Sequence, residues 1–203
     1  MTKVFGGWAT VLLILLAAGP VQATVIDFED GSGGSEVGGF YSGNGVVFSN
    51  ASWVSVIGLD GSTSALGIIA TDNGGLPNPF QWLQPNAVVA SFSGGVTFAS
   101  IVGLDVGANG LRIDAFDSLV GGSLIDFDEV FGAGGSSGAF TLAVSGAAIM
   151  RIEIYQVQNT GLEGIALDNL EFAPASAPVP EPGTLALLGA GLLALAAFRL
   201  RAA

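Results

Sequence analysis

Neither cysteine nor histidine occurs anywhere in the 203 residues. Without cysteine there is no disulfide, no thiolate nucleophile and no sulfur-ligated metal. Without histidine the chain lacks the side chain that titrates near neutral pH and the commonest metal ligand. Ser-His-Asp, Cys-His and His-zinc mechanisms are therefore excluded. Basic residues are almost as scarce, the five being Lys3, Arg112, Arg151, Arg199 and Arg201. Between the two terminal segments, two arginines face 16 of the 17 acidic residues, a net charge of about −14. So acidic a surface repels nucleic acid. It suits divalent cations, or plain solubility outside the cell.

What is abundant is glycine, 32 residues in all, 26 of them outside the ends. Glycine at that density costs backbone entropy in helices and suits turns, bulges and hairpins. The apolar excess is concentrated in residues 4–19 and 184–198. Lys3, an apolar run over 11–18, Pro20 and the small residues Val21 and Ala23 make residues 1–23 a secretory signal peptide. Cleavage is expected between Ala23 and Thr24. At the other end, residues 173–179 are a Pro/Ala linker that cannot continue a strand. An uncharged stretch over 184–198 follows, closed by Arg199 and Arg201. Fifteen helical residues reach about 22 Å, short of a hydrocarbon core of about 30 Å. Leu200 and the arginine stems extend it to a transmembrane helix over 184–200, with the arginines on the cytoplasmic side.

Pro180, Glu181 and Pro182, then an apolar span, then terminal arginines resemble the PEP-CTERM sorting signal of Gram-negative bacteria, here residues 180–203. The resemblance implies recognition by an exosortase, a membrane protease-like enzyme, with membrane anchoring through the C-terminal helix before processing. It also implies association with exopolysaccharide and the extracellular matrix. The basic end is shorter than the usual cluster.

The segment over 24–172 reads differently. Short apolar runs recur between turn signals, at 25–28, 46–48, 53–57, 66–70, 88–92, 96–98, 101–106, 111–116, 124–127, 139–144, 149–156 and 165–172. That spacing predicts an all-β sandwich or barrel, and about a dozen strands in two sheets suggest a jelly roll. Met150, Ile152 and Ile154 alternate with Arg151, Glu153 and Tyr155, and Leu111, Ile113 and Ala115 with Arg112 and Asp114. Each pattern predicts a strand with one buried face. Ser93-Gly94-Gly95 reads as a hairpin turn. The segments at 26–29, 112–117 and 166–170 are similar to those of carbohydrate-binding-module-like sandwiches found ahead of such tails.

In sandwiches of that kind the first and last strands lie side by side. The resemblance then implies that Glu29, Asp30, Asp168 and Asn169 surround one point, where calcium would take carboxylate, amide and carbonyl oxygens. The same residues suit strand ends and turns equally well. Asp126 and Asp128 share one face of a strand. Paired carboxylates can hydrolyse a glycosidic bond if they face each other across a cleft; the plainer reading is a solvent-facing strand edge. Trp82 and Phe80, in a proline-rich loop, are candidate glycan contacts, as are Trp53 and Tyr41; the alternative for these aromatics is that they are core. The chain is thus expected to be a non-enzymatic, exported structural or adhesive protein with weak glycan binding. It would be anchored in the inner membrane with a periplasmic domain and then delivered to the cell surface or matrix. The alternative is a glycoside hydrolase or lyase using paired carboxylates.

Overall fold

The computed structural model describes residues 22–70, 83–133, 138–159 and 164–175, together with Gly191. The expected signal peptide core, Phe80, Trp82, the sorting motif and the tail helix lie outside the described residues. Among the described residues no helix is long and apolar enough to cross a membrane.

Nine strands form the domain: β1 (Thr24–Ile26), β2 (Val46–Ser49), β3 (Ala51–Ser55), β4 (Leu66–Ala70), β5 (Val88–Leu104), β6 (Leu111–Phe116), β7 (Leu124–Val130), β8 (Phe140–Gln156) and β9 (Ala166–Pro174). The only other regular elements among the described residues of this domain are two 3-10 turns, Ser42–Asn44 and Gln84–Asn86. The all-β expectation holds.

Two strands of 17 residues, β5 and β8, organise the fold. Residues 88–91 of β5 pair with 151–154 of β8, and residues 98–103 pair with 140–145. The neighbours differ on the two halves. The first half of β5 carries β2, and the second half of β8 carries β6, which in turn carries β7. The second half of β5 carries β9, flanked by β4 and β3, and β1 also lies on β9. One ribbon thus runs through both layers of a jelly-roll-like sandwich. Register breaks between Ser91 and Val96 and between Val96 and Phe98 mark where it changes layer. Ser93-Gly94-Gly95, expected as a hairpin turn, is instead this corner. Gly95 takes a φ of +67, and a Cβ there would lie 3.1 Å from the Met150 sulfur. Glycine reads as a chain reversal in sequence, but here its partner strand bends with it, at Gly146 and the two alanines that follow.

The two layers meet over one continuous core. Phe92 from one and Phe172 from the other approach to 5.2 Å between ring centroids. Beside them, Phe28, Tyr41, Phe48 and Trp53 pack edge-on or tilted. The Trp53 indole N–H donates to the Phe28 carbonyl at 3.1 Å. It lies so close on Gly31 that any Cβ there would fall 2.0 Å from the ring. Truncating a buried aromatic of this kind costs about 3–5 kcal/mol.

The open side of the sandwich is closed by side chains. β7 ends one layer, and the first half of β8 ends the other. An edge strand leaves main-chain N–H groups unpaired. Asp128 accepts the Ala143 amide at 3.0 Å through one oxygen and the Glu129 amide at 2.8 Å through the other. Asp126 accepts the Ser145 amide at 2.8 Å. The two carboxylates replace the carbonyls a further strand would supply. Leaving such a group unsatisfied costs about 1–3 kcal/mol where it is buried, less where water reaches it. Asp128→Ala should therefore lower the melting temperature by several degrees, at roughly 2–4 °C per kcal/mol. Asp128→Asn should cost more than Asp126→Asn, because an amide keeps one acceptor and Asp128 uses two; thermal unfolding of the three variants checks the order.

Candidate functional site

The first and last strands do lie side by side, Thr24 opposite Phe172 and Ile26 opposite Leu170. Ala23 is exposed and Thr24 opens β1. Just beyond Ile26 the backbone turns through Phe28 at φ 59, and β9 bulges at Asn169 with φ 48. The bulge buries the Asp168 side chain, leaving 1% of the residue exposed. Burial raises its carboxyl above the ordinary value. Hydrogen bonds from Ser64 and the Asn169 amide oppose that rise, and the negative charges of Glu29 and Asp27 add to it. The Asn169 amide donates to Asp168 at 2.8 Å. Glu29 accepts the Ala65 and Leu66 amides at 2.9 and 3.0 Å, fastening the end of β1 to the start of β4.

The four residues expected around one point are therefore only partly assembled. Glu29 and Asp168 are electrostatic neighbours, joined by Asp27 and Ser64, which sequence reasoning missed. Asn169 contributes its main-chain N–H. Asp30 instead acts on Tyr41, whose hydroxyl is pushed up to about 12, first by burial and then by that charge. Among the described residues no three acidic side chains converge closely enough to hold a metal ion by themselves. A cation here would rest on Glu29 and Asp168 with main-chain and water oxygens completing its shell.

Trp53 and Tyr41 are core residues, both buried. The outward face of the layer β2-β5-β8-β6-β7 carries what the sequence reading passed over. Both arginines between the terminal segments lie on it, each bonded to an acid two residues along its own strand and each stacked on a phenylalanine. Arg112 donates to Asp114 at 2.7 Å and to Glu129 at 3.3 Å, and its guanidinium carbon lies 4.0 Å from the Phe127 ring centroid. Arg151 bonds Glu153 at 2.9 Å, lies 4.0 Å from the Phe116 centroid, and donates to the Ser118 and Gly121 carbonyls at 2.8 Å. It thereby holds the β6–β7 hairpin while only 8% exposed. Tyr155 donates to the other Asp114 oxygen at 2.8 Å, and Gln84 to Glu153 at 3.1 Å. The alternation of β6 and β8 is the signal that points these residues to one face.

Residues 178–202 match the PEP-CTERM protein-sorting motif. A tail of this kind implies export, membrane anchoring before processing, and an exosortase as the processing partner. The PEP-CTERM motif covers the expected Pro180, Glu181 and Pro182. No curated protein matches the chain. Solved structures similar to the PEP-CTERM-tailed chain include the K2 cleaved adhesin domain of Lys-gingipain, at 12% identity and TM-score 0.49, covering 75% of this chain and 99% of that one. Another is the CBM22-1–GH10 portion of Clostridium thermocellum endo-1,4-beta-D-xylanase 10B, at 11% and 0.40, covering 66% and 26%. A family 6 carbohydrate-binding module aligns at 14% and 0.37, covering 77% and 99%.

The Asp168 shift has a sign that can be tested. A carboxyl raised by folding binds its proton more tightly in the folded state. Its contribution is favourable below the unfolded value and is lost as pH rises through the folded value. Asp168→Asn keeps an acceptor for Ser64 and the Asn169 amide but removes the charge. The variant should lose less stability than the parent as pH is raised out of the ordinary carboxylate range, measured by urea unfolding from acidic to neutral pH.

Proposed function

We propose that the chain is an exported structural or adhesive protein of the cell surface or extracellular matrix, with weak binding to exopolysaccharide. The observation that carries this reading is the sorting motif over 178–202. The sequence adds a leader-like segment at one end and an acidic, lysine-free domain between the two ends. An anchored precursor, held in the inner membrane with its domain in the periplasm, is then delivered outward by the exosortase. The catalytic alternative draws no support from Asp126 and Asp128. Their oxygens accept main-chain amides at the seam rather than facing each other across a cleft.

Expression in the exporting host tests the reading. The secreted form should begin at Thr24 by amino-terminal sequencing. Glu181→Ala should leave a folded precursor in the membrane fraction, detected by immunoblot with the outer fraction depleted. Delivery of that variant as efficient as the parent's would defeat the proposal.

A structural calcium ion on Glu29 and Asp168 belongs to the same reading. Support comes from the repulsion that Glu29 and Asp27 exert on Asp168, which a cation would turn into attraction. A ligand bound only by the folded state stabilises it by about 2.7 kcal/mol at a hundredfold excess over Kd. Millimolar calcium should raise the melting temperature by several degrees over chelator, magnesium should do less, and Asp168→Ala should abolish the response. Identical melting curves in calcium and chelator would remove the ion from the proposal.

A further inference from the structure

We propose that the β7 edge of the outward face, centred on Phe127, is a binding strip for an uncharged polysaccharide. The inference rests on the reading of the domain as a glycan-associated surface protein and gives that reading a place on the molecule. Six of the eleven large hydrophobic side chains exposed among the described residues fall between Leu119 and Phe131. Phe127 is 52% exposed and Leu124 46%. Edge strands ordinarily guard themselves with outward charge. β7 turns two of its three acids inward to the seam, which leaves an apolar outer surface with Glu129 as its one charge.

The polar groups beside Phe127 decide what covers it. Arg112 spends Nε on Asp114 and Nη1 on Glu129. Arg112 also bonds the Tyr155 hydroxyl, yet its side chain stays 21% exposed and that of Glu129 29%, so a donor group and an acceptor group stand together next to a half-open aromatic ring. Adjacent sugar hydroxyls require that pairing, and the C–H face of the sugar requires an apolar surface such as Phe127 and Leu124. The charges are already matched within the strip, and the domain carries about −14. A polyanionic glycan finds no free cation here, and a second copy of the chain brings the same repelling charge. A peptide adding as a further strand needs main-chain N–H donors along the edge. That of Glu129 is already bonded to Asp128 at 2.8 Å.

The full chain, purified in detergent, is run through native gels containing hydroxyethyl cellulose, xylan or galactomannan, with alginate as the polyanionic arm. At least one neutral polymer should retard it and alginate should not. Phe127→Ala and Glu129→Gln should each weaken the retardation at least tenfold. Ile57→Ala, which trims an exposed side chain outside the strip, should leave it unchanged. Glu129→Gln keeps the side chain's shape and carries the test should Phe127→Ala not fold. Retardation that survives both strip variants overturns the strip and leaves the surface-protein reading standing. No retardation by any neutral polymer removes both the strip and the glycan part of that reading, while sorting through Glu181 is judged separately. Retardation by alginate alone overturns the uncharged ligand. Concentration-dependent dimerisation lost in Phe127→Ala assigns the strip to a second copy instead.

Discussion

Every part of the domain hangs on the ribbon of β5 and β8. Because the two strands pair through both layers, the core residues of each layer are fixed relative to the other by main-chain hydrogen bonds, not by side-chain packing alone. A domain without disulfides needs some such constraint. The corner carries its own requirement: Gly95 has a left-handed backbone and lies against Met150, and Gly146 lies against Ile125, where a Cβ would come within 2.9 Å. Both strands must bend at the same level, so the glycines on the two strands act as a matched pair.

The ribbon also explains where the acids go. When β8 passes from one layer to the other, its first half is left as an edge facing β7. Asp126 and Asp128 fill that gap. In sequence they read as paired carboxylates on one face, which is correct as geometry. The chemistry they perform is decided by the unpaired amides of Ala143 and Ser145, and no residue pattern announces those. The same holds for Arg151. Its alternation with Ile152 places it on the outward face, yet it is buried because it reaches main-chain carbonyls of a hairpin 33 and 30 positions upstream.

Local periodicity was thus a good guide wherever a strand has one buried face, as in β6 and the second half of β8. It failed at the corner, because glycine serves a chain reversal and a layer change equally well. At the β1–β9 junction, adjacency of the terminal strands was legible, and Glu29 and Asp168 do approach. The bulge at Asn169 and the placing of the Asp30 charge near Tyr41 depend on register, which is settled only by pairing across the sheet. Trp53 and Tyr41 illustrate the same limit: an aromatic side chain has one appearance in sequence, whether it lines a core or a surface.

The scarcity of basic residues has a further consequence for an exported protein. Trypsin-like proteases cut only after lysine or arginine, and between residues 24 and 175 the chain offers Arg112 and Arg151 alone. Each sits inside a strand with hydrogen-bonded neighbours on both sides, its guanidinium laid on a phenylalanine and held by an acid. Cleavage at either requires the strand to leave the sheet first, so digestion by such enzymes is governed by unfolding of the domain. Trypsin-like proteases met after export would find this domain durable for as long as it stays folded.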